Sequence, residues 1–375
     1  MAVSTIDPNG LNVGQLGGTR NRIINSAMLI DQRNSGGTWN AINGGYGLDR
    51  WKVNSFNGGA ATGIFSVQRS TTAPDGFSNS LLVTSLASTA DSANNIFNVE
   101  QKIEGYNTFD LAFGTSSAKT ITLSFWVRSS LTGTFGGAIK NSARNRAYPF
   151  TYTISSANTF EYKTITIAGD TSGTWVGAST STGVWVSFGL GVGSSRSGTA
   201  GAWNSSDDFS ATGATSVVGT SGATWYLTGV MLETGDVATP HENRSYGEEL
   251  RACQRYYYKT VSSSGSNVLN NSWNTSNGIG TFNKHNQIYD FCDIFPIEMR
   301  ASPSTTFFAQ SGSGYLRIEI PGVANKEISI SPNSTNSSNT GMQLRYVVNE
   351  TDRTEWNNGS GNAFGRVGYA ADAEL

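Results

Sequence analysis

Charged residues are scarce in this 375-residue chain: they make up 14% of it, where about a quarter is usual for a soluble domain. Lys and Arg (25) nearly balance Asp and Glu (27), leaving a net charge of -2. No global positive field is there to draw nucleic acid, so nucleic-acid binding is not expected. Two cysteines, Cys253 and Cys292, cannot staple a chain of this length, which excludes a disulfide scaffold; they read as free thiols. Two histidines, His241 and His285, leave little acid–base chemistry near neutral pH. No stretch approaches the ~20 apolar residues of a membrane span, so membrane insertion is not expected. Residues 1–20 lack the apolar run of a secretory signal, so synthesis in a cytoplasm is expected. The strings G-x-S-x-G, G-x-x-x-x-G-K, H-E-x-x-H and C-x-x-C are all missing.

What the chain does have is Gly (44) and aromatics (11%) in a background of Ser, Thr and Asn. Aromatic content and low net charge exclude disorder. The dominant hydrophobic period between residues 21 and 240 is two. In KTITLSFWVRSS, Ile121, Leu123, Phe125 and Val127 share one face, while Thr122, Ser124, Trp126 and Arg128 share the other. SLLVTSL, NIFNVEQKIE, YPFTYTIS, FEYKTITIAG, GVWVSFGLGV and TWYLTGVMLE repeat the pattern, separated by turn clusters such as TTAPDG and AGDTSG. GLGVGSS lacks dinucleotide-loop spacing and reads as a bulged or tightly packed strand.

The expected fold class is therefore all-β. Residues 1–20 form an extended arm, and residues 21–244 a large jelly-roll β-sandwich. Residues 245–259 form a linking helix, with Ser245 and Glu248 as its capping pair and Leu250, Cys253 and Tyr257 on one stripe. Residues 260–375 form a smaller C-terminal β-sandwich.

Trp126, Trp185 and Trp225 lie inside alternating strands and are assigned to packing. Trp39, Trp203, Trp273 and Trp356 lie among Gly, Asn, Ser and Thr in loops. An aromatic ring beside amides and hydroxyls suits a sugar, although pinning a loop is the alternative for each. Asp207 and Asp208 offer carboxylates of the kind Ca²⁺ takes, but two adjacent acids are a weak pattern and no cofactor is expected. Glu100, Glu104 and Glu161 are further acids a glycan hydrolase could use, with surface solvation the default for each. The group Lys140, Arg144 and Arg146 reads as a solvated turn. The candidate glycan or receptor residues are Trp203, Asp207, Asp208, Trp273 and Trp356; no catalytic residue is assigned and no enzyme is expected.

Longer strings add a resemblance. NRIINSAMLIDQRN followed by YGLDRW, then SFWVRSSLTGTFGGAIKNSARNRAYPFTYTIS, then TGVMLETGDVATPHENRSYGEELRACQRYYYK resemble a domain of tail-fibre and related virion proteins of tailed bacteriophages. The resemblance covers about residues 20–260. It implies a fold similar to carbohydrate-binding jelly rolls and a place on the virion surface. It also implies a homotrimer, host surface polysaccharide as partner, and docking to other virion proteins through residues 1–20. The final residues would be a variable receptor-binding tip. A capsid decoration or connector protein with a structural role only is the alternative, and a glycan depolymerase a further one. The resemblance supplies no catalytic residue. Asp49, Arg50 and Trp51 of the LDRW string are expected to tie a sandwich corner, and Glu233 and Pro240 to bracket the exit of the last strand.

Overall fold

The computed structural model describes residues 20–59, 63–90 and 92–259, and then 282–283, 288–308, 315–319, 326–329, 334–347, 364–366 and 368–375. Of the expected arm, residues 1–20, all but Arg20 lie outside them. The chain divides into two compact units, residues 1–249 with 375, and residues 250–374.

The first unit is the expected β-sandwich of two six-stranded antiparallel sheets. The first sheet runs β1 (Trp39–Asn40), β4 (Phe65–Ser70), β5 (Ser80–Ser85), β14 (Thr224–Thr234), β7 (Ile121–Ser129), β10 (Glu161–Ile167). The second runs β2 (Tyr46–Leu48), β3 (Trp51–Phe56), β6 (Ile96–Glu104), β11 (Thr182–Val192), β8 (Gly133–Asn141), β9 (Ala147–Ile154). A small parallel pair, β12 (Ser197–Gly198) and β13 (Ser210–Ala211), belongs to the loop after β11.

Alternation explains why these segments pair. Ile121, Leu123, Phe125 and Val127 are fully buried between the sheets, as are Val53, Phe97, Val99, Val186 and Phe188 from the second. Phe125 meets Phe188 edge-on at 5.0 Å, and Trp225 donates its indole N–H to the Tyr152 hydroxyl at 3.2 Å. Each buried large side chain contributes about 1.5–3 kcal/mol by leaving water, so the two inner faces dominate the fold. The expected bulge in GLGVGSS is present: the β11–β6 register shifts between Gly189 and Gly191.

The strings that carry the family resemblance form a seam. Asn21 and Arg22 near the start reach the final strand: Asn21 Nδ2 donates to Val230 O at 2.9 Å, and Arg22 N donates to Leu232 O at 3.1 Å. Trp51, fully buried, donates to Asn25 O at 3.0 Å. Asp49 accepts from both the backbone and side chain of Gln32 at 2.6 Å, and Arg50 donates to Lys102 O. Glu233 holds Thr239 through its N–H (2.9 Å) and its hydroxyl (2.7 Å), which fixes the exit of β14.

The helix α1 spans Tyr246–Gln254 and opens on the expected box: Glu248 accepts from Ser245 N at 2.9 Å, and Ser245 Oγ accepts from Glu248 N at 3.3 Å. It ends five residues earlier than the sequence suggested. A turn from Tyr256 N to Cys253 O closes it, and β15 (Tyr257–Lys259) follows, because Tyr257, Tyr258 and Lys259 pair with Asp372, Ala371 and Ala370. Cys253 is buried.

The second unit holds β16 (Phe282–Asn283), β17 (Ile288–Ile294), β18 (Ser304–Phe308), β19 (Tyr315–Glu319), β20 (Lys326–Ser329), β21 (Ser334–Ser337), β22 (Gly341–Val347), β23 (Phe364–Arg366) and β24 (Gly368–Asp372). They pair with β15 into sheets of order β15-β24-β18, β16-β17-β22-β21 and β20-β19-β23. Phe295, Met299, Met342 and Tyr369 form a small core of their own.

Candidate functional site

The outward faces of the two sheets are where a ligand can reach the sandwich. They carry different chemistry.

On the second sheet, register places Lys102, Trp185 and Lys140 side by side across β6, β11 and β8. The next row holds Lys52, Glu100 and Ser187. The loop after β11 lies over the Lys140 side: Ser187 Oγ donates to Phe209 O at 3.0 Å, and the Lys140 ammonium stands 3.2 Å from the centre of the Phe209 ring. Gly189 permits this approach, since a Cβ there would meet Ser210 Oγ at 2.6 Å.

Asp207 descends from the loop onto Lys140 at 2.5 Å, Arg144 at 2.5 Å and Arg196 at 3.1 Å. Burial works to raise the Asp207 pKa, but the Arg144 hydrogen bond and the Lys140 charge outweigh it and hold the carboxyl below its usual range. It is therefore an anchor kept ionised at neutral pH. Burial pulls Lys140 down to about 8 despite its partner, because its side chain has no exposed surface. The reading of Lys140, Arg144 and Arg146 as a solvated turn is thus corrected. Lys140 is enclosed, Arg144 clasps Asp207, and Arg146 makes a two-pronged contact with Asp170 at 2.6 and 2.7 Å.

Of the residues singled out in the sequence, Asp208 is buried and accepts from Ser206 Oγ at 2.5 Å. Trp203 is half-buried, donates to Ala168 O at 2.7 Å, and packs edge-on with Phe113, Tyr148 and Trp175. Asp207 joins the Lys140 cluster, and Trp203 and Asp208 sit along the same loop segment. Trp273 and Trp356 lie outside the described residues. Among the described residues no group of three His, Cys, Asp or Glu side chains is placed to hold a metal ion. Glu100 is buried in the same outer-face row, whereas Glu161 caps a turn through Ser155 N and Ser156 N, both at 2.8 Å.

The first sheet presents rings. Trp126 on β7 lies opposite Tyr162 on β10 and Thr228 on β14, and the Trp126 and Tyr162 rings are 5.4 Å apart. In the next row Arg128 lies opposite Tyr226, its guanidinium 5.0 Å from that ring and 5.8 Å from Phe160. Tyr162 keeps 44% of its surface exposed; Trp126, Phe160 and Tyr226 are half-buried. Thr164 and Thr166 are exposed beside them. Gly229 makes room at the bulge in β14: its φ is +62°, and a Cβ would lie 2.7 Å from Phe77 and 3.1 Å from Trp126. Among the described residues no carboxylate lies within 4.0 Å of Arg128, so its guanidinium N–H groups are not committed to an ion pair.

This platform was missed in the sequence because strand tryptophans were assigned to packing. The available sign was phase. Trp126 and Arg128 stand out of register with Phe125 and Val127, and Trp185 with Val184 and Val186. Only Trp225 of the three strand tryptophans is in the core.

No protein-family profile and no curated protein matches the chain. Solved structures do. The enzymatically active domain of tailspike protein 4 from bacteriophage CBA120 is similar over 58% of this chain and 22% of its own, at 13% identity and a TM-score of 0.31. This chain thus spans about a fifth of that domain's length. A family 11 carbohydrate-binding module from Clostridium thermocellum, in complex with a mixed-linked tetrasaccharide, is similar over 55% of this chain and 100% of its own, at 13% identity and a TM-score of 0.28. The N-terminal cellulose-binding domain of Cellulomonas fimi β-1,4-glucanase C is similar over 53% and 100%, at 15% identity and a TM-score of 0.23.

Proposed function

We propose that this protein is a bacteriophage virion component, a tail fibre or fibre-tip protein, that attaches the particle to host surface polysaccharide and does no chemistry on it. The observation that carries the glycan reading is the open ring platform of Trp126, Phe160, Tyr162 and Tyr226 on one sheet face. A pyranose has a C–H-rich face and a rim of hydroxyls. The rings offer an apolar surface to the first; Arg128, the tyrosine hydroxyls, Thr164 and Thr166 offer hydrogen bonds to the second. The sparse charge of the chain agrees with a ligand recognised by hydroxyls rather than by field. The virion role rests on the family resemblance of residues 20–260, and with it come a homotrimer and docking through residues 1–20. Three identical platforms side by side would add weak sugar contacts through avidity.

The test is adsorption. The purified protein is expected to bind host cells and to block phage attachment, and Trp126→Ala with Tyr162→Ala is expected to weaken both at least about tenfold with the thermal midpoint little changed. Undiminished cell binding by that double variant would refute the platform. Release of reducing sugar from host polysaccharide would refute the non-catalytic reading.

A further inference from the structure

The outer face of the second sheet contains a feature that the Asp207 anchor does not explain. Lys52 on β3 and Lys102 on β6 point to the same side of adjacent strands, and both are half-buried. Among the described residues no carboxylate lies within 4.0 Å of either ammonium group. Lys102 instead stands 4.2 Å from the centre of the Trp185 ring, with Lys140 5.0 Å from the same ring on the other side. The nearest compensating acid, Glu100, is turned to Asn98 Nδ2 at 3.1 Å. Two ammonium groups can donate hydrogen bonds but cannot accept them, so the pair lacks the acceptor its geometry calls for. Burial first, and then the positive charge of Lys52, pull the Lys102 pKa down to about 8. Facing the pair are Glu100 from its own sheet, Arg144 from the β8–β9 turn, and Lys140 with Asp207 beyond Trp185. The local balance is positive in a chain whose net charge is -2.

We infer that the outer-face patch of Lys52, Lys102 and Trp185 is a second binding site, for an oxyanionic substituent of a saccharide. The oxyanion sits between the two ammonium groups and accepts from both. The indole edge and the half-exposed Asn54 amide, which donates to Asn98 Oδ1 at 2.8 Å, border the sugar ring that carries it. The site is separate from the ring platform of the first sheet and does not depend on it.

The experiment titrates the full chain with a uronate trisaccharide, with its carboxyl-reduced neutral counterpart, and with inorganic phosphate as competitor. The uronate form is expected to bind at least about tenfold more tightly than the reduced form, as removal of a paired charge usually requires. Lys52→Met with Lys102→Met is expected to erase that preference without lowering thermal stability, because both methionines keep the aliphatic packing. Trp126→Ala with Tyr162→Ala is expected to leave the preference in place, which separates this site from the platform. Equal binding of the two trisaccharides, or a preference that survives the double methionine variant, would overturn the proposal. Displacement of the trisaccharide by an equal concentration of phosphate would overturn its saccharide part.

Discussion

On the first sheet, half-buried Trp126 and Arg128 alternate with buried Phe125 and Val127; on the second, Glu100 and Lys102 alternate with buried Val99 and Ile103. The same period of two built both outer faces. They diverge because of what lies over them. The loop after β11 folds across β8 and β11, and enclosure of Lys140 then requires Asp207 as a partner. Nothing described covers the Trp126 and Tyr162 rings to that extent, so they need none. Charge on one face is neutralised within the fold, whereas the rings on the other are the surface proposed to take a ligand. An alternating strand specifies which residues face outward but not whether outward means solvent.

The two faces are set apart most strongly by Asp207. Asp207→Ala would leave Lys140 enclosed without its acid, and is expected to cost about 2–3 kcal/mol, or roughly 5–10 °C in thermal midpoint. A loss under about 0.5 kcal/mol would mean the loop contact behaves as an ordinary surface ion pair. Next is the ring platform: Trp126→Ala with Tyr162→Ala should weaken polysaccharide binding by about 1.5–3 kcal/mol in a titration, while costing the fold less than the Asp207 change. Gly229→Ala is expected to cost about 1–2 kcal/mol, since it places a side chain at positive φ and pushes on Phe77 and Trp126. It should also weaken glycan binding without removing any ring.

The smallest effect is a pH dependence confined to the charged face. The folded pKa of Lys102, about 8, lies below its ordinary value of 10.5, so the unfolded chain holds more protons between those values. The group therefore subtracts stability below pH 8, and that penalty is relieved as pH rises through the window. Lys102→Met should raise the thermal midpoint slightly at pH 7, and the gain should vanish by about pH 10. A gain independent of pH would assign the effect to packing.

Much of the fold was legible in the residues. Ile121, Leu123, Phe125 and Val127 announced a half-buried strand, and Ser245 with Glu248 announced the helix start. The end of that helix was not, because Tyr256, Tyr257 and Tyr258 satisfy a helical stripe and a strand equally well until neighbours decide. The charged cluster was hidden for a different reason. Lys102, Trp185 and Lys140 lie on strands far apart in sequence, and only the order β6-β11-β8 makes them adjacent. Asp207 was offered as a ligand residue for its carboxylate, yet three cations occupy it. The period of two had already placed Trp126 on the face opposite the core; only its assignment to packing hid it.

Hydroxyl-radical footprinting of the protein with and without host polysaccharide shows whether glycan lies on the rings of the first sheet. Trp126 and Tyr162 are expected to be protected on binding, with the loop-anchoring Trp203 and the core Trp225 unchanged. Bound polysaccharide that left Trp126 and Tyr162 as reactive as in the free protein would contradict that placement.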